Sequence, residues 1–93
     1  MKTDTKYNGW KNRQTWNVAL WINNEENYYR AAVDFMRTYD GRAAWAAFCK
    51  AYGFQYERTP DGIAYISTHI SYRELNAMMR GLNGKRPGHK RTS

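Results

Sequence analysis

One cysteine, two prolines and three leucines occur in 93 residues, and each scarcity excludes something. With Cys49 alone there is no intramolecular disulfide and no multi-cysteine zinc centre, which suits a reducing compartment. Long apolar runs are missing too. The longest, Val18 to Ile22, falls far short of the roughly 20 residues that span a bilayer, and no basic segment followed by an apolar stretch opens the chain. A soluble protein of the cytoplasm is the expectation. With so little leucine, the core of this single domain must come from its four Trp, eight Tyr and three Phe. Each such ring removes about 150–250 Å² from water when buried.

Reactive constellations are equally sparse. Cys49 lies among alanines and aromatics, where a buried, inert thiol is the usual outcome, and His69 and His89 have no carboxylate at ligand spacing. Gly81-Leu82-Asn83-Gly84-Lys85 follows a helical pattern rather than a strand and lacks the spacing of a phosphate loop. Glu25-Glu26 is explained by a helix start, and Met78-Met79 by core filling. The sequence therefore predicts a protein that is not an enzyme and uses no cofactor or metal.

What the chain does carry is positive charge, unevenly placed. Of the net +7, residues 1–23 hold +3 and residues 84–93 hold +4, so the middle is neutral. Basic ends on a balanced middle suit an anionic partner, nucleic acid above all, and equally suit two solvated tails.

Periodicity predicts a mainly α (α+β) fold, a compact bundle of about four helices with flexible basic termini. Residues 1–9 read as a flexible arm, 10–83 as one helical domain and 84–93 as a disordered basic tail. Asn12 can cap a helix over Arg13–Asn23. A second helix follows Asn24 and is expected to end with Gly41 in the left-handed conformation; Tyr28, Tyr29, Ala32, Val33, Phe35, Met36 and Tyr39 share one face. A third spans about Arg42–Tyr52 and stops at Gly53. Thr59-Pro60-Asp61-Gly62 has the composition of a type I turn between short alternating segments, which predicts a small β-hairpin between helices 3 and 4. Ser71 and Glu74 form the capping box of a last helix, about Tyr72–Leu82.

The densest signal is "TWNVALWINN", residues 15–24. On a helix, Trp16 and Trp21 point about 140° apart, with Asn17 in the gap between them. In one reading this is the central helix, wrapped by the others, with Trp16, Ala19 and Leu20 facing the core and Asn17 satisfied by a buried hydrogen bond. In the other, Trp10 or Trp21 offers a stacking face beside Lys6, Lys11 and Arg13, and Asn17 reads a base edge.

"YNGWKNRQTWNVALWINNE", residues 7–25, resembles a group of small uncharacterised proteins of phages and other mobile elements that open with N-x-x-T-W-N-x-x-L-W-x-N. "TPDG" and the later "SYRELNAMM" resemble that group's second half; the basic tail is outside its pattern. The resemblance implies an accessory protein that redirects host machinery or blocks host defence, in the manner of an anti-CRISPR or anti-restriction protein. Two functions are thus expected. The favoured one is a cytoplasmic inhibitor that binds a host protein or nucleoprotein complex, since the neutral middle offers no evident basic groove. The alternative is a DNA- or RNA-binding module, with Lys6, Lys11, Arg13, Lys85, Arg86, Lys90 and Arg91 on phosphates and Trp10 or Trp21 stacking.

Overall fold

The computed structural model describes residues 7–84, with side chains as far as Leu82. Four α-helices make the domain: α1 (Arg13–Asn24), α2 (Glu26–Thr38), α3 (Ala44–Tyr52) and α4 (Tyr72–Gly84), with a 3-10 turn over Phe54–Tyr56. Asn12 caps α1 as its sequence suggests, its Oδ1 accepting from the Thr15 N–H at 2.8 Å. Glu25 alone joins α1 to α2; its N–H donates to the Trp21 carbonyl and its own carbonyl accepts from the Tyr29 N–H. So short a joint makes the first two helices neighbours.

Termination of α2 departs from expectation. The helix stops at Thr38, and the Tyr39 N–H donates to the Phe35 carbonyl. Gly41 is not among the left-handed residues. Its place is fixed instead by close approach, since a Cβ there would stand 2.5 Å from the Tyr39 hydroxyl. Tyr39 itself is held by stacking on Phe35, with ring centroids 5.0 Å apart. Gly53 does take the left-handed conformation, at φ +81°, and ends α3.

α2 and α4 each touch all the other helices, whereas α1 and α3 lie on opposite sides and do not meet. The first helix is therefore peripheral rather than central. Its buried side is Thr15, Asn17, Val18, Ala19 and Ile22, while Trp16 and Leu20 are half-buried. The ring at the centre belongs to Trp45 of α3, which is fully buried against Phe48 and Tyr65. At about 25 cal/mol per Å², burying an indole contributes on the order of 4–6 kcal/mol before conformational entropy is counted. Val18 and Ile22 of α1, Ala32 and Met36 of α2, and Leu75, Met79 and Leu82 of α4 close the core around it.

No β-strand occurs among the described residues, so the hairpin expected between the third and fourth helices does not form. The turn itself is present. The Gly62 N–H donates to the Thr59 carbonyl at 2.8 Å, the Thr59 N–H donates to the Ile63 carbonyl at 2.8 Å, and Gly62 sits at φ +90°. Beyond it the pairing amounts to an isolated bridge between Arg58 and Ala64. The reason lies in where the backbone groups of the 57–71 loop go. Trp45 Nε1 donates to the Tyr65 carbonyl, Asn12 Nδ2 donates to the His69 carbonyl, and the Ser71 N–H donates to Thr15 Oγ1. Helix side chains satisfy the loop and leave little for a ladder.

Candidate functional site

Asn17 is the residue that the sequence left with two readings, and its surroundings decide between them. It is fully buried, accepts from Thr59 Oγ1 at 2.6 Å and donates through Nδ2 to Asp61 Oδ2 at 2.7 Å. Trp21 Nε1 donates to the same carboxylate oxygen at 3.1 Å. The amide between the two indoles thus clamps the Thr59–Gly62 turn onto α1, and Trp21 closes the clamp from the next turn of helix. Thr59 Oγ1 also accepts from the Asp61 and Ile63 N–H groups, so the turn is braced from within. The hydrogen bonds from Asn17 and Trp21, with a smaller contribution from the charge of Arg13, hold the Asp61 carboxyl below its ordinary value.

The capping box of α4 is shared in the same way. Ser71 Oγ accepts from the Glu74 N–H at 3.2 Å, but the Glu74 carboxylate accepts from the Lys11 N–H at 2.7 Å instead of turning back on Ser71. Thr15 supplies the partner that Ser71 would otherwise lack. Asn12, Thr15, Asn17 and Trp21 therefore tie α1 to the 59–71 loop and the start of α4.

Other expected binding residues are placed as follows. Trp10 is half-buried against the core and pairs with Tyr7 through two backbone hydrogen bonds, closing a tight turn over Asn8 (φ +50°) and Gly9 (φ +89°). Positive φ at both central residues is the geometry that Asn-Gly favours. Trp16 packs on Tyr7, with ring centroids 4.9 Å apart. Lys11 and Arg13 are exposed. Lys85, Arg86, Lys90 and Arg91 lie outside the described residues, as does Lys6.

A basic cleft, which charge counting along the chain had not suggested, opens on the other side of α4. It has a volume of about 690 Å³ and is lined by Asp40, Gly41, Arg42, Arg73, Asn76 and Arg80. Arg73, Asn76 and Arg80 are spaced three and four residues apart, so they share one face of α4. Arg42 arrives from the connection between α2 and α3. Among the described residues none of the three guanidiniums makes an ion pair or a hydrogen bond; the ion pairs are Arg30–Glu26 and Arg37–Asp34, both within α2. Asn76 spans two tasks. Its Oδ1 accepts from the Trp45 N–H at 2.8 Å, which caps α3 because Ala43 has no side chain to do so, and its Nδ2 remains a donor beside the arginines. A smaller cleft of about 330 Å³, touching Gln14, Arg58 and His69, is less available because Arg58 already donates to the Gly62 carbonyl.

A protein-family model matches residues 3–85, and it describes a family of unknown function, DUF7249. The chain belongs to this family. No curated protein and no solved structure matches it. The family carries no assigned chemistry, so the arrangement of side chains must supply the functional argument.

Among the described residues no three His, Cys, Asp or Glu side chains gather where a metal ion could be held. Cys49 is fully buried, and desolvation pushes its thiol up to about 12, so it is a packing residue. The Tyr65 hydroxyl is buried with no hydrogen-bond partner among the described residues, and burial, followed by the nearby Tyr28, Cys49, Glu57 and Glu25, raises its pKa. Among the described residues no helix is long and apolar enough to cross a membrane.

Proposed function

We propose that this protein is a non-enzymatic recognition module for nucleic acid, acting in the cytoplasm of the host cell. The observation that carries the reading is the convergence of Arg42, Arg73 and Arg80 on one cleft with no ion pair among the described residues. Arginine is well suited to phosphate, since its planar fork can donate two parallel hydrogen bonds. The helix that presents Arg73 and Arg80 runs in sequence straight into Lys85, Arg86, Lys90 and Arg91, which extend the supply of positive charge. The cleft supplies a basic groove that the charge balance along the chain does not suggest.

Lys11 and Arg13 remain candidates for phosphate contact, being exposed. Asn17 is buried with its amide committed to the turn, whereas Trp21, half-buried and committed only through its N–H, keeps its ring as a candidate for stacking. Affinity for nucleic acid must fall steeply with salt, because each phosphate neutralised releases a counterion. Titration of the full chain with labelled duplex and single-stranded oligonucleotides at two salt concentrations tests this. Salt-sensitive binding is the expected result, and no binding at low salt removes the reading.

A second reading, the inhibitor of a host protein or nucleoprotein complex, draws on the exposed rings of Tyr52 and Tyr56, which are 48% and 85% accessible. Tyrosines of this kind are enriched at interface hot spots. A nuclease-treated pulldown that retains a stoichiometric host protein, and loses it on Tyr56→Ala, would favour this reading.

A further inference from the structure

The cleft on α4 has a charge balance that is more informative than its sign. Three guanidiniums face one carboxylate, that of Asp40, so the lining carries +2. A phosphodiester within a strand bears one negative charge, whereas a phosphomonoester bears about −1.5 to −2 at neutral pH. A volume of about 690 Å³ is too large for phosphate alone and falls within the range of small-ligand pockets. We propose that the cleft binds the phosphomonoester of a nucleotide, presented as the 5′-phosphorylated end of a nucleic-acid strand. The proposal deepens the nucleic-acid reading and rests on it.

Each lining residue has a part in this. Arg73 and Arg80 stand one above the other on α4 and Arg42 faces them from the α2–α3 connection, so a terminal phosphate with three free oxygens meets donors from two elements. Asn76 Oδ1 is occupied by the Trp45 N–H, which leaves the Nδ2 of this lining residue as the donor it can offer to a ligand. Asp40 disfavours a continuous anionic backbone in the cleft yet can accept from a sugar hydroxyl, so it favours a ligand whose charge is concentrated at one end. No aromatic residue lines the cleft, so the base is not gripped and little preference among bases is expected.

The test compares short oligonucleotides of one sequence that end in either a 5′-hydroxyl or a 5′-phosphate, titrated against the full chain. The phosphorylated strand should bind about tenfold tighter, the scale of one additional charge-assisted hydrogen bond. The advantage should vanish in the Arg73→Gln, Arg80→Gln double variant with its circular dichroism melt unchanged. It should persist in Arg30→Gln, whose guanidinium is already paired with Glu26. Equal affinity for the two ends overturns the proposal and leaves nucleic-acid binding standing. If neither strand binds, the nucleic-acid reading fails. The end-binding proposal then fails with it.

Discussion

The start of α1 and the outer face of α4 make an instructive pair. At the first, Asn12, Thr15, Asn17 and Trp21 form a dense, distinctive pattern, and their polar groups are consumed in hydrogen bonds within the Asn12 cap and to the 59–71 segment. At the second, Arg73, Asn76 and Arg80 form no motif, and the guanidiniums have no partner among the described residues. Distinctive residues hold the fold together; undistinguished ones are free to meet a ligand. A buried polar side chain must be matched in type and geometry or it is costly, so it leaves a specific signature, whereas an exposed arginine is tolerated almost anywhere.

Replacing Asn17 with alanine is the strongest way to sharpen the contrast. It strands the buried Thr59 hydroxyl and unlatches the turn, and chemical denaturation should show a loss of about 2–3 kcal/mol. Below its melting range the variant should keep oligonucleotide affinity; loss of affinity with intact folding would break the division of labour. Asn76→Ala belongs to both regions, removing the cap of α3 and a donor from the cleft. Its stability should fall by about 1 kcal/mol and its affinity for phosphorylated strands should fall with it, the two effects read in separate experiments.

A pH series on Asp61→Asn isolates charge at the turn. In the folded protein the Asp61 carboxyl titrates below its ordinary value of 3.8, so ionised Asp61 contributes stability that is fully present above 3.8 and is lost as pH falls through the lower folded-state value. Thermal melts should place the wild type above the variant at neutral pH, with the gap closing in acid; a gap independent of pH would mean that the charge plays no part. The smallest stability effect belongs to Arg73→Gln, which should stay within about 0.5 kcal/mol of wild type while weakening strand binding. A larger loss would show that the arginine holds the fold after all.

Much of the helical frame was legible in the sequence. The Asn12 cap, the stop of α3 at Gly53, the Ser71 cap and the amphipathic face of α2 are local features, decided by a few neighbouring residues. The turn at Thr59–Gly62 was legible for the same reason, and the strands beside it were misjudged because alternation describes side-chain faces and says nothing about which groups take the backbone hydrogen bonds. Those groups come from residues 20 to 57 positions away. The face of α1 was misjudged in a related way. Trp16 and Leu20 are more apolar than Thr15 and Asn17, yet the latter are buried because polar partners wait for them across the interface. The three residues on α4 could have been grouped from their helical spacing alone. Arg42 could not.

By itself the sequence determined a small helical domain, built on rings in place of leucine. Only the tertiary structure decided that α1 lies at the side, that Trp45 fills the centre, and that Arg42, Arg73 and Arg80 line one cleft with no ion pair among the described residues. The reason is one of range. Caps, turns and helix faces follow from residues within a few positions of one another, while the pairing of charges and buried amides depends on which surfaces the packed helices bring within hydrogen-bond distance.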